Sequence, residues 1–526
     1  MATGNVFCCS VAHRFSSQFH PQYAFIHISP SSQRFLMASN VKLTAFQTEQ
    51  PLLGLGLRCF SSTVSGQNGT GRASAADHSL PANHADASIG VRSRLDFSCS
   101  SCFRYKTVFE LLRGMFVLKL SSYQKFVENS EKIMSMSQRI LGQQLFGVAA
   151  QCTFYGHFIA GNGEAQARRL VERFEELGVA TILAVTAEED VGESVGRYNE
   201  PRYDRNANGY LNCMDLSQEV SNKFRPISQL KVTSFCKADV LARMTELLEE
   251  KGLSYDNNSS LSVKNLAQGL DGNMTPISDL SDAENHHLRL VLQRLSDIGQ
   301  RAVKNHAQLL VDAEKTNINP GITLVCLALM LKFNKEEPVI WNTYQCYLKK
   351  TRDEVESDLR WSQKRGVCFG VKIVRGAYME AEKGYAAQHQ LEDPINPSYE
   401  ATSDMYDGVV ALMMDHISRN PGRCGMIVAT HNEESVLKAV TKMEELQLSP
   451  TSGDVIFGQV YGLSDRITVA LGKAGYITYK SAPYGPVDDV LPYLARRAQE
   501  NHCILQSTRR ERSLMMEEVK MRMKLH

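Results

Sequence analysis

From Ala180 onward, short apolar and β-branched runs alternate with longer stretches in which apolar residues recur every three or four positions. The first pattern is that of buried strands and the second that of helices packed by one face. Eight runs stand out. They are ATILAV (Ala180 to Val185), QLKVTS (Gln229 to Ser234), QLLVDAE (Gln308 to Glu314) and VIWNTYQ (Val339 to Gln345). GVKIVRG (Gly370 to Gly376), GMIVATHN (Gly425 to Asn432), DVIFGQVYG (Asp454 to Gly462) and YITYKSAP (Tyr476 to Pro483) complete the set. Eight such runs separated by helices predict an α/β fold, a (β/α)8 TIM-like barrel with an N-terminal helical extension. A doubly wound open sheet is the alternative, but no GxGxxG follows an early strand.

Polar residues gather toward the C-terminal ends of these runs. Lys231 is in the second, Asp312 and Glu314 end the third, and Gln345 ends the fourth. Lys372 and Arg375 lie in the fifth, Thr430, His431 and Asn432 end the sixth, Gln459 is in the seventh, and Lys480 and Ser481 are in the eighth. In barrels of this kind that end is the active-site mouth.

After the eighth run comes PVDDVLPYLARRAQEN. As a helix it brings Tyr493, Arg496 and Arg497 onto one face, a phenol beside two guanidiniums. Arg496 also stands four residues before Glu500, so an exposed ion pair worth about 0.3–0.5 kcal/mol is the alternative. Laid across a barrel mouth, the same face would grip a carboxylate in forked hydrogen bonds.

LVCLALMLKF (Leu324 to Phe333) is too short to cross a bilayer and reads as a buried helix, so any membrane association is peripheral. The polar stretch from Ser254 to Asn285 reads as an insertion ahead of a helix over His286 to His306. Its DGN (Asp271 to Asn273) resembles a calcium loop without the ligand spacing, and no metal site is assigned. Residues 1–63 read as a mitochondrial transit peptide: Asp and Glu are absent through Thr48, while Arg14, Arg34 and Lys42 stand among many Ser. Arg58 in LRCFSST is a candidate processing signal. Residues 64–104 read as disordered linker, with the folded domain over 105–526 and leading helices over 105–178.

The formal net charge of +1 argues against nucleic acid as a partner. The 13 cysteines follow no disulfide or zinc spacing, and CSSC at Cys99 and Cys102 lacks a strand–helix context.

At VKIVRGAYMEAEK, VDAE, NTYQCYLK, ATHN, FGQVYGLSD and APYGPVDDVLPYLARRAQEN the chain resembles the proline dehydrogenase family, from about Tyr105 to its C-terminus. The resemblance implies a mitochondrial flavoenzyme with FAD at the strand ends, an amino-acid substrate, a quinone acceptor and peripheral contact with the inner membrane from the matrix. It implies that Lys372 is the basic residue near flavin N5. Gln345, Thr430, His431, Gln459 and Glu500 are then cofactor contacts. Lys231, Arg496 and Arg497 match the groups that hold the substrate carboxylate, with Glu188 pairing the arginines. Asp312, Ala377, Tyr378 and Tyr493 match positions that close over the ring, and Ile373 and Val460 match its apolar walls.

Two positions depart from the family pattern. Ala184 stands where members usually carry an acidic residue. Ser481 stands where proline-oxidising members carry Tyr and hydroxyproline-oxidising members carry Ser. A Ser leaves room for a ring hydroxyl and can hydrogen-bond it, which predicts trans-4-hydroxy-L-proline over L-proline. The close alternative is oxidation of L-proline itself, or of both substrates; two readings of other kinds also stay open, a Schiff-base lyase using Lys231 or Lys372 and a non-catalytic flavoprotein.

Overall fold

A computed structural model describes residues 95–185, 198–252, 255, 259–487, 490, 494 and 508–524. The leading helices are α1 (Val108–Ser121), α2 (Gln124–Glu128), α3 (Ser130–Cys152), α4 (Phe154–Phe158) and α5 (Glu164–Glu175). Then follow β1 (Ala180–Val185), α6 (Glu200–Val220), β2 (Ile227–Leu230), α7 (Ala238–Glu250), α8 (Val263–Gly269) and α9 (Asp282–Lys304). After these come β3 (Gln308–Val311), α10 (Asn319–Phe333), β4 (Ile340–Gln345), α11 (Thr351–Arg365) and β5 (Phe369–Val374). The rest of the order is α12 (Met379–His389), α13 (Tyr399–Arg419), β6 (Cys424–Ala429), α14 (Glu433–Glu445), β7 (Val455–Val460), α15 (Asp465–Lys473), β8 (Thr478–Tyr484) and α16 (Arg509–Lys524).

All eight strands run parallel in one sheet, ordered β1-β8-β7-β6-β5-β4-β3-β2. β1 and β2 lie side by side and nearly close the barrel. The eight predicted runs all hold strands, although several strands are shorter than the runs. The second run stops being strand at Leu230 and turns into a 3-10 helix over Val232–Ser234, and Lys231 stays extended.

Alternation along the strands decides which side chains meet inside. Ala180, Ile182, Ile227, Leu310, Trp341, Ile427, Ile456 and Tyr479 form one cluster within the barrel. Trp341 is its plug. A Cβ at Gly370 would come within 2.3 Å of the indole and one at Gly425 within 2.7 Å, so only glycine fits beside it. Neighbours of opposite parity, including Val371, Ile373, Val428 and Phe457, belong to the outer core between sheet and helices. α10, apolar all round, is buried in that layer as LVCLALMLKF predicts.

Two readings need correction. Residues 95–104 are packed rather than linker: Leu95 and Phe97 are buried in the outer core, and Cys102 and Phe103 pack against α1, α15 and α16. The polar insertion is largely packed too. Leu261, Val263, Leu266, Leu270, Met274, Ile277 and Leu280 enter the core, and two buried asparagines satisfy the irregular backbone around them. Asn265 bonds Ser260 O, Thr275 O and Thr275 N, while Asn285 bonds Ile277 N and O. Asp271 of DGN pairs with Lys332 at 2.8 Å.

A buried carboxyl in this layer makes stability depend on pH. Asp358 on α11 accepts from Tyr344 OH at 2.7 Å, and burial raises its pKa to about 7. The unfolded value is near 4, so the native state holds more protons between pH 4 and 7, and stability falls as pH rises through that window. Asp358→Asn, which keeps an acceptor for Tyr344, is expected to raise Tm relative to the parent at pH 8. Its advantage shrinks as pH is lowered to 5. Thermal melts at both pH values test this, and a pH-independent difference would refute it.

Candidate active site

The inward-facing positions near the C-terminal ends of the strands are Ala184, Gln229, Lys231, Asp312, Gln345, Lys372 and Ser481, by continuation of the interior parity, and Val460 shares that parity but packs against the cluster of α1, α15 and α16. Lys372 on β5 and Asp312 just past β3 form an ion pair across this mouth. The lysine is buried and the aspartate partly open. A buried ammonium needs such a partner, because desolvation otherwise disfavours its charge.

Glu314 is held two residues beyond Asp312. Its carboxylate accepts from Thr233 Oγ1 at 2.8 Å, and its carbonyl accepts from Gln345 Nε2 at 2.8 Å. Burial pushes the Glu314 carboxyl up, and the nearby Lys231 ammonium works against that. The loop after Glu314 is tied to α12, since Glu382 accepts from Thr316 N at 2.8 Å and from its hydroxyl. Glu382 N in turn donates to Tyr378 O at 2.9 Å, so this one residue ties the loop after Asp312 through its carboxylate and the Ala377–Tyr378 turn through its backbone. The turn bends at Gly376, where φ is 135° and a Cβ would overlap the Tyr347 ring.

At the opposite wall Ser481 donates to Gln229 Oε1 at 2.8 Å, joining β8 to β2 across the mouth. Sequence reasoning passed over Gln229, although it stands two residues before Lys231 and therefore on the same strand face. Thr430 is buried, and its hydroxyl accepts from Asn432 N at 3.1 Å. His431 lies beside Ser464 Oγ at 3.1 Å and receives Val460 N on Nε2 at 3.5 Å, which puts its proton on Nδ1. Burial, then the charge of Lys480, lowers its pKa to about 3, so the imidazole is neutral at physiological pH.

Some residues chosen from the sequence do not face the mouth. Ile373 cannot share a face with its neighbour Lys372, and it is fully buried in the outer core. Gln459 also points outward. Its amide nitrogen donates to Thr430 O at 3.3 Å and its oxygen accepts from Thr468 of α15 at 2.9 Å, so the side chain is spent on packing. Lys480 is buried behind β8, pairing with Asp465 at 2.9 Å. Glu188, Tyr493, Arg496, Arg497 and Glu500 lie outside the described residues, as do residues 1–94.

Asp465 is a structural hub. It takes Lys106 at 2.6 Å, Lys480 at 2.9 Å and Tyr105 OH at 2.8 Å, while Glu511 of α16 accepts its backbone N–H at 2.8 Å. Burial opposes ionisation, but the two ammoniums outweigh it and hold the carboxyl well below its usual range. The side chain of Asp465 joins the N-terminal extension to the barrel, and its backbone N–H ties in the C-terminal helix. Asp465→Asn strips two buried cations of their counter-ion and is expected to cost about 3–5 kcal/mol, read by urea denaturation. A loss under about 1 kcal/mol would show the pairs to be dispensable.

A flavin brings an anionic diphosphate and a ring that gains negative charge on reduction, so cations without carboxylate partners are the fit to look for. Arg375, just past β5, is one among the described residues. It donates to Ser403 Oγ at 3.0 Å and Ser435 Oγ at 2.8 Å and stacks on Tyr399 and Tyr406, with Nε unpartnered and buried. With Lys372 and Gln345 at the adjoining strand ends, these residues fit such a group.

Ionisable groups gathered at the C-terminal mouth of a parallel barrel define a (β/α)8 enzyme. Residues 169–510 match the family described as proline dehydrogenase, and the chain belongs to that family of oxidoreductases. It is 41% identical to a hydroxyproline dehydrogenase of Xenopus laevis, over 83% of this chain and 92% of that one. It is 29% identical to proline dehydrogenase 1, mitochondrial, of Homo sapiens, over 82% and 90%. The crystal structure of proline utilization A from Bdellovibrio bacteriovorus, inactivated by N-propargylglycine, superposes with a TM-score of 0.54 at 16% identity. That match covers 80% of this chain but 42% of the other protein and is a likeness of fold alone.

Proposed function

We propose that this chain oxidises trans-4-hydroxy-L-proline to Δ1-pyrroline-3-hydroxy-5-carboxylate in mitochondria, with FAD as cofactor and a membrane quinone as final acceptor. The observation that carries this reading is Ser481, inward at the mouth and hydrogen-bonded to Gln229 where a Tyr would fill the space. The similarity to chains named hydroxyproline dehydrogenase supports it.

When bound, the flavin would supply the two-electron acceptor for a hydride from the ring carbon beside nitrogen. The chain's own residues orient and stabilise. Lys231, with Arg496 and Arg497, would fix the carboxylate and so one end of the ring. Such positioning can supply several kcal/mol of the barrier reduction. Ser481 and Gln229 would meet the ring hydroxyl, and Ala377, Tyr378, Tyr493, Val460 and Asp312 would enclose the ring, whose nitrogen must be uncharged for its lone pair to form the C=N bond as the hydride leaves. Lys372, Gln345, Thr430, His431 and Arg375 would hold the cofactor, with Lys372 placed to offset negative charge as the flavin is reduced.

Anaerobic titration of the purified chain tests the reading. Its flavin absorbance is expected to bleach at much lower trans-4-hydroxy-L-proline than L-proline. Bleaching by L-proline alone would instead support the proline dehydrogenase reading, and a colourless chain trapped by borohydride with a carbonyl substrate would support the lyase. The Lys372–Asp312 pair disfavours the latter at that position, because an ion-paired ammonium is not a nucleophile.

A further inference from the structure

The leading helices carry an apolar surface that the fold leaves open. On α1, Phe109, Leu112 and Phe116 share one face by their spacing, and the two phenylalanines are 57% and 56% exposed. On α3 the helix breaks at Gly142 (φ 71°), and apolar residues stay outward on both sides of the break. Ile140 is 74% exposed before it, and Leu145 (65%) and Val148 (59%) after it. α2 touches both helices. A soluble surface scatters such side chains singly, and several on adjoining helices mark a docking face.

The charges around them choose the partner. Lys119, Lys125, Lys132 and Arg139 are exposed along the same segment, with Glu128 the described exposed acid between them. Lys119 lies 4.9 Å over the Tyr123 ring, its stem along an aromatic side chain and its charge outward. Against a second copy this face would set like charges together, whereas an anionic bilayer complements both its apolar and its basic components. No helix among the described residues is long and apolar enough to cross a membrane, so the segment would lie in the interface.

The position suits the chemistry. The inner side of α3 packs through Phe146 and Ala150 against Val490 and Leu494, so the apolar segment is seated beside residues just beyond β8. We propose that α1 to α3 form a monotopic anchor for an anionic lipid surface, docking the barrel where a lipid-soluble oxidant can reach it. The choice of oxidant rests on the function proposed above; the binding does not.

The test is flotation of the purified full chain with vesicles of phosphatidylcholine containing about 30 mol% phosphatidylglycerol, against phosphatidylcholine alone. The parent is expected to float with the anionic vesicles and to be released by salt. Phe116→Glu with Ile140→Glu, and separately Leu145→Glu, are expected to weaken flotation by about tenfold or more. Turnover with a water-soluble dye is expected to stay at the parental value in these variants. No flotation of the parent, or equal flotation by the variants, would overturn the proposal. So would a parental dimer by light scattering that the same substitutions split, which would assign the face to self-association. A parent that floats but oxidises neither imino acid would leave the anchor standing and sink the proposed function.

Discussion

Lys372→Met is expected to lower turnover by about 10²–10³-fold, the range seen when one preorganised electrostatic group is removed from an active site. Two effects add. The cation that would stabilise the reduced flavin is gone, and Asp312 is left as an uncompensated carboxylate at the mouth. Lys372→Arg keeps the charge and is expected to recover a large share of the rate. Stopped-flow reduction measured with flavin content separates the two losses: a lower reduction rate in chains that retain flavin is catalytic, whereas loss of flavin is a binding effect. Unchanged reduction in Lys372→Met would remove this lysine from the site.

Ser481→Tyr is expected to change the ratio of kcat/KM for trans-4-hydroxy-L-proline over L-proline by about 100-fold, chiefly by depressing the hydroxylated substrate. The new ring would occupy the space of a ring hydroxyl, and Gln229 would lose the donor it now has at 2.8 Å. Steady-state kinetics on both substrates is the measurement. Equal losses on both would make Ser481 a packing residue and shift the preference to another wall. Gln229→Ala probes the same contact from β2, where a selective loss on the hydroxylated ring is expected. These variants test the substrate without disturbing the ion pair at Lys372.

The strands were legible because a buried parallel strand is a continuous apolar run, and eight such runs leave few architectures open. The polar strand ends were legible in the same runs, although pattern did not separate those at the mouth from Gln459 and Lys480, which are structural. Motif matching reached Lys372, Asp312, Gln345 and Ser481, all on the inward parity of the barrel. It failed where motifs ignore alternation. Ile373 and Gln459 sit in matching motifs yet face the helices, because successive residues of a strand point to opposite sides. Gln229 was missed although the same rule applied to Lys231 would have found it.

The sequence alone determined the strand runs, the absence of a dinucleotide fingerprint and the identity of the groups available for chemistry. These depend on local pattern, which a chain displays without folding. Only the tertiary structure decided the pairing of Lys372 with Asp312, 60 residues away in the chain. It also decided the burial of an insertion whose composition reads as polar, because Asn265 and Asn285 satisfy its irregular backbone from within. The same holds for the hub at Asp465, where Lys106 and Lys480 converge from opposite ends of the domain. The physical reason is common to all three. A charge or amide can be buried only where a partner is brought to it, and partners distant in sequence are supplied by closure of the barrel.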